Sequence, residues 1–245
     1  MPSRLTEAHI RGEKRIRDAA VRAVAAAWQG LPGYDEANVD EFLSRALPAV
    51  RAGVRSSALL TAAYIDRALE RQPRTFDPDE ILAGLRNGVP LEEVYRRPFV
   101  TAWGDLAAGA LYADAVKAGL DRTKTLAATD PQLAMRDTAR QLDNGYGYRR
   151  VADSGACEFC QAVNGAYVKG NSYVMALHPF CGCSLEALTE PHKGAVLLPD
   201  GTEIRPYAYG PLNDKVSVHQ HGELGAVLGD PSHHFTSQSE IANRR

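Results

Sequence analysis

All four cysteines of the 245-residue chain fall within one stretch of 27 residues, and a histidine stands among them. The stretch contains Cys157-Glu158-Phe159-Cys160 and then His178-Pro179-Phe180-Cys181-Gly182-Cys183. Two cysteines three positions apart can curl round one ion, because the turn between them aims both sulfurs at it. His178 and Cys181 repeat that spacing, and Cys183 shares a face with Cys181 wherever the backbone is extended. Thiolates with one imidazole are a soft set that favours Zn²⁺ over hard cations. Five donors compete for four tetrahedral positions, so the expected shell is Cys157, Cys160, Cys181 and either His178 or Cys183. A closed shell leaves no position for a catalytic water, which makes the expected zinc structural, a staple for a loop-rich region. Two disulfides and free or redox-active thiols are the competing readings. A redox Cys-x-x-Cys belongs between a strand and a helix of a thioredoxin-like unit, and the preceding Asp153-Ser154-Gly155 loop fits that poorly.

Other chemistry-bearing residues are sparser. His219-Gln220-His221 would place two imidazoles on one strand face, with Glu223, Asp230, His233 and His234 close in sequence. A second metal site, or a metal-dependent hydrolase with Glu223 as base, is conceivable there, but a solvated loop and strand is the plainer reading. The chain has no Gly-x-Ser-x-Gly elbow, no Walker loop and no Gly-x-Gly-x-x-Gly turn. The basic residues Arg11, Lys14, Arg15, Arg17 and Arg22 alternate with Glu7, Glu13 and Asp18, as on a solvated helix face; nucleic-acid contact is the lesser reading.

The elements that must position these groups fall into two textures. Ile16, Ala20, Ala23, Val24 and Ala27 follow the spacing of an apolar helix stripe, ended by Leu31-Pro32-Gly33. A second stripe runs from Val39 through Val50 and on to Leu69, and Pro48 within it predicts a kink or break. Asp77-Pro78-Asp79-Glu80 combines an Asp cap, Pro at the first helical position and Glu at the third. Gly88 closes that short helix, and Pro90-Leu91-Glu92-Glu93 opens another turn. A longer helix through Phe99, Trp103 and Leu111 is predicted to reach about Gly119, with a last one after Asp130-Pro131 over residues 131–142. From Asn144-Gly145 onward Gly, Pro, Tyr and His dominate, and Tyr148–Ala152, Ala166–Val168 and Ala195–Leu198 read as short strands. Asn164-Gly165 and Asp200-Gly201 are turn signals. The predicted class is α+β. Residues 1–143 form an elongated α-helical region, and residues 144–245 a small, loop-rich, zinc-stapled α/β domain with short strands.

Composition narrows the function classes. Apolar residues are 44% and charged residues 24% of the chain, within the range of folded globular proteins. A net charge of −2 argues against a dedicated DNA-wrapping protein. No apolar run is long enough for a membrane span, and the N-terminal residues lack the apolar stretch of a signal peptide. Thiols in a reducing compartment favour metal over disulfides.

A helical region followed by RRVADSGACEFCQAVNGAYV, a spacer and HPFCGCSLEAL resembles the MuF-like minor head proteins of tailed bacteriophages, closest to those of actinobacteriophages. The later stretch VSVHQHGELGAVLGDPSHHF is similar to the tail of those proteins, so the resemblance spans roughly residues 90–236. It implies a virion protein, assembled in the host cytoplasm and then held in the capsid interior or at the portal vertex. Its implied partners are the portal and the capsid or scaffold proteins, with several copies per virion and contact with packaged DNA. Some relatives carry a capsid maturation protease, but nothing before residue 144 resembles a Ser/His protease core. No catalytic residue is therefore expected, with a maturation protease or another metal-dependent hydrolase as the alternative. The residues carried over are Cys157, Cys160, His178, Cys181 and Cys183, as zinc ligands.

Overall fold

The structure is a computed structural model that describes residues 2–142, 145–153, 155–165, 167–168, 175–178, 180–190, 196–197, 203–204, 210–211 and 214–233. Ser3 opens the first helix, its hydroxyl accepting the Thr6 amide hydrogen, and α1 (Arg4–Gln29) follows. α2 (Val39–Ala68) returns beside it, and α3 (Pro78–Gly84) starts where the Asp77 carboxylate caps the Asp79 amide. α4 (Leu91–Ala107) and α5 (Tyr112–Gln141) complete the helical part, in which α1, α2 and α5 pack pairwise and α4 lies against α5. Their shared core holds the buried rings of Trp28, Phe42 and Phe99, tilted or edge-on to one another at 4.8–5.6 Å. Gly119 is what lets α5 approach, since a side chain there would collide with the Trp28 ring and the Pro98 carbonyl.

Three helix boundaries differ from the sequence prediction. α2 runs through Pro48 without a break, because Val39, Phe42, Ala46, Leu47 and Val50 are all buried against the bundle and outweigh one lost backbone bond. The chain turns at residues 108–111, where Gly109 takes φ 88°, so the helix predicted to reach Gly119 is two helices. Conversely, α5 passes straight through Asp130-Pro131. The Asp130 carboxylate accepts from Arg86 Nε at 2.7 Å and Tyr95 Oη at 2.8 Å.

Beyond residue 145 the elements are short. β1 (Tyr148–Val151) is the centre of a three-stranded antiparallel sheet, flanked by β2 (Tyr167–Val168) and β3 (Ser184–Ala187). Between β1 and β2 lies a single helical turn, α6 (Glu158–Ala162). β4 (Val196–Leu197) pairs with β5 (Glu203–Ile204). A second three-stranded sheet orders β6 (Gly210–Pro211), β7 (Ser217–His221) and β8 (Gly225–Gly229). The class is α+β, as predicted: long helices first, then short antiparallel strands. The predicted Asp200-Gly201 turn and His234 lie outside the described residues.

The two textures share one apolar core. Val24, Ile65 and Leu133 of the helices belong to the same buried cluster as Tyr148, Leu185 and Leu228 of the sheets. Polar ties cross the same seam. Tyr64 Oη accepts the Ala187 amide hydrogen at 3.0 Å, and His9 Nδ1 lies 3.3 Å from Ser184 Oγ. No helix among the described residues is long and apolar enough to cross a membrane.

Candidate metal centre

The Cys-x-x-Cys turn is built by α6. Cys157 is its N-cap residue and Cys160 lies inside it, with the Gln161 amide bonded to the Cys157 carbonyl at 2.9 Å. His178 arrives from a different direction. Leu177 bridges to Val227 of β8, its amide bonding the Ala226 carbonyl at 3.1 Å and its carbonyl the Leu228 amide at 2.6 Å. The β7–β8 hairpin thus holds the histidine segment in register. A tight turn then brings in Cys181, whose amide bonds the His178 carbonyl at 3.0 Å, with Phe180 at φ 60°. At Gly182 a Cβ would overlap the Asp153 carboxylate, so a larger residue there would push that side chain aside. That carboxylate also accepts the Gly155 amide hydrogen at 3.0 Å, so Asp153 caps the loop before α6 while lying against the turn before β3.

All five predicted donors converge, and all are buried. They form two triads sharing Cys160: Cys157, Cys160 and His178 in one, Cys160, Cys181 and Cys183 in the other. Within each, the donor atoms lie within 4.8 Å of one another. His178 Nε2 is 2.8 Å from Cys157 Sγ and 2.9 Å from Cys160 Sγ, and Cys160 Sγ is 3.4 Å from Cys181 Sγ. Sulfurs round a tetrahedral Zn²⁺ stand about 3.8 Å apart, so an ion within one triad needs its donors to spread slightly. An ion shared between the triads also needs Cys181 to draw nearer to the Cys157–His178 pair. No disulfide links the four cysteines.

Arg150 is the partner that the sequence did not reveal. Its side chain is 1% exposed, and Nη2 donates to Cys160 Sγ at 3.4 Å and to Cys181 Sγ at 3.3 Å, while Nη1 donates to the Ala176 carbonyl at 2.6 Å. The available signal was its position in β1, on the same face as buried Tyr148. A buried guanidinium needs negative charge nearby, and the sulfurs supply it. Hydrogen bonding from Cys160, helped by His178, pulls the Cys157 thiol down to about 4. Cys181 is also pulled far down, by hydrogen bonds from Cys160 and Cys183 together with the Arg150 charge. Cys160, which shares its proton with these thiolates, is pushed well up. For Cys183, the contact with Cys160 pulls down but is outweighed by Cys181 and burial, leaving it at about 12. The site is therefore an electron-rich sulfur cluster facing one fixed cation. Such a donor set can hold a metal ion.

The remaining candidates are placed otherwise. His219 Nε2 is 2.8 Å from the Asp230 carbonyl, and His221 Nδ1 accepts from the Glu223 and Leu224 amides at 3.1 and 3.2 Å. The Glu223 carboxylate is bound by Arg97, and among the described residues His219, His221 and Glu223 form no metal-ligand group. On α1, Lys14 pairs with Asp18 at 2.8 Å and Arg11 with Glu7 at 3.8 Å on the solvated side. Arg17 departs from that face and donates to the Cys181 carbonyl at 2.9 Å, clamping the helix to the cysteine turn.

The fold and site together define a helical bundle that carries a buried Cys/His centre on a small antiparallel appendage. The chain belongs to the VG15 protein family, whose model matches residues 2–202, and so to a class of phage (viral gene) proteins. The match takes in the helices and every candidate ligand and stops before β7 and β8. No curated protein and no solved structure matches the chain.

Proposed function

We propose that the chain is a non-enzymatic minor head protein that acts in phage head assembly, with a structural zinc ion as the staple of its C-terminal part. The observation that carries the zinc reading is the charge balance at Arg150. Three thiolates and a neutral imidazole round Zn²⁺ leave one net negative charge, which a single guanidinium donating to two of the sulfurs neutralises. Four thiolates would leave one charge buried and unbalanced. The proposed ligands are therefore Cys157, Cys160, Cys181 and His178. Cys183 then acts through its backbone, its amide donating to Cys181 Sγ at 3.4 Å. The ion would gather α6, the His178 segment and the start of β3, which are too short to hold a core by themselves.

Family membership supports a phage protein and the Cys/His cluster a metal site. The portal vertex or capsid interior as its place, and portal and capsid proteins as partners, are proposed on the MuF-like resemblance alone. The test has two arms. Native mass spectrometry of the purified chain should show one zinc per chain, and co-expression with the portal protein of the same phage should yield a complex that survives gel filtration. A chain without zinc would refute the staple, and a portal that elutes separately would refute the docking.

A further inference from the structure

The turn between β7 and β8 ends in an arginine collar. Glu223 accepts from Arg97 Nη2 at 2.5 Å and Nη1 at 2.7 Å, and Arg86 Nη1 lies 3.6 Å away. Arg86 is 4% exposed, is held at φ 53°, and spends its Nε on Asp130. Its Nη2 is buried and has no hydrogen-bond partner. Arg136 closes another side, donating to the Leu224 carbonyl at 2.6 Å and pairing with Asp137 at 3.0 Å.

A third arginine joins Arg86 and Arg97 without a carboxylate of its own. Gly119 packs against the Pro98 carbonyl, so Arg122, one turn further along α5, stands beside Arg97 on α4. Arg122 is exposed and has no hydrogen bond or ion pair among the described residues. Desolvation of the part of its side chain that lies against the protein, and then the charges of Arg97 and Arg86, make its protonated form less favourable than usual, and Glu223 offsets part of this. Burial, with Arg86 and Arg97 and against the pull of Glu223, lowers the His221 pKa and so disfavours a further positive charge beside the arginines. Asp130 pairs with Arg86 and Glu223 with Arg97, where Glu93 adds a weaker attraction, and neither carboxylate forms an ion pair with Arg122.

We propose that Arg122 and Arg97, backed by Arg86, form a binding site for a phosphate group at the edge of the hairpin tip. A phosphate oxyanion matches the planar guanidinium fork and would pair with Arg122, the one member of the three without a carboxylate partner among the described residues. Its source is either the backbone of duplex DNA or free inorganic phosphate. The site lies on the α4–α5 side of the fold and does not depend on the metal reading.

The test uses the full-length chain as purified. Fluorescence anisotropy with a labelled duplex of about 20 base pairs, over roughly 50–200 mM salt, reads the DNA arm. Arg122→Ala should weaken duplex binding about five- to tenfold and lower the log–log salt slope by about one. Lys117→Ala, which removes an exposed lysine paired with Asp121 on the same helix, should change affinity less than about twofold. If the duplex does not bind, inorganic phosphate at constant ionic strength should raise the unfolding midpoint of the unsubstituted chain but not that of Arg122→Ala, which assigns the site to free phosphate. Binding of neither ligand, binding that Arg122→Ala leaves unchanged, or equal losses in the two variants would overturn the proposal.

Discussion

Replacing Arg150 by Met tests the charge balance at the cysteine centre directly. Met keeps most of the side chain's volume in the 1%-exposed site but removes the donors to Cys160 Sγ, Cys181 Sγ and the Ala176 carbonyl. The sulfur cluster then keeps a buried negative charge with no counterion, a loss that costs about 3–5 kcal/mol where one partner of a buried pair is deleted. For a chain of this length each kcal/mol moves the midpoint by roughly 2–4 °C, so the zinc-loaded variant should melt about 6–20 °C lower by calorimetry. Arg150→Lys retains the charge but not the fork, and its midpoint should fall between the two. Zinc affinity follows the same order, measured by competition with a chromogenic chelator. Arg150→Met that melts with the unsubstituted chain and holds zinc equally tightly would refute the charge argument, and with it the preference for His178 over Cys183.

Cys160 belongs to both donor triads, so Cys160→Ser should lose the ion, whereas Cys183→Ser should keep one zinc per chain by native mass spectrometry. Asp130→Asn removes the nearer of the two carboxylates beside the buried Arg86, leaving Glu223 at 3.6 Å, and should cost up to about 3 kcal/mol in urea unfolding followed by circular dichroism, with the centre's zinc still bound. Glu223 gives a pH dependence of known sign. Arg97 holds its carboxyl below the usual carboxylate range, so its stabilisation is complete above the ordinary pKa and fades as pH falls through the depressed one. Midpoints of the unsubstituted chain and Glu223→Gln, compared from pH 6 downward, should converge in that acidic window. A gap that stays constant would show that Glu223 contributes nothing through its charge.

The donor motif was legible in the sequence because Cys-x-x-Cys and His-x-x-Cys are local patterns, and a turn brings each pair together wherever it lies. The choice among five donors was not legible, because it depends on Arg150, whose approach to the sulfurs is set by the pairing of β1 with β3. Helix existence was read correctly from the apolar stripes and from the Asp77 cap. Boundaries failed where a local signal met a tertiary demand. Asp130-Pro131 has the form of a cap, yet the carboxylate is drawn into the buried set with Arg86 and Tyr95, and Ser57 Oγ donates to the Pro131 carbonyl at 2.7 Å. Glu223 presents a similar case. Next to two histidines it read as a general base or ligand, but its partners come from α4 and the segment before it, more than a hundred residues away.

The links between the centre and the bundle decide how far loss of metal would spread. Arg17 holds the Cys181 carbonyl, His9 meets Ser184, and Glu186 accepts from the Ser3 amide and the Thr6 hydroxyl. These contacts fall on the Ser3 cap and on α1 as far as Arg17, while the Trp28 cluster anchors its other end. An ion-free centre would free the turn that carries Cys181 and β3, and α1 would lose its polar partners along residues 3–17 but keep its aromatic anchor. Metal removal should therefore fray the start of α1 along with the sheet while α4 and α5 keep their packing. Amide exchange would show this as a graded loss of protection along α1, steepest at Thr6 and His9 and absent at Ala25. Uniform loss across all four long helices, α1, α2, α4 and α5, would mean that the centre and the bundle unfold as one unit.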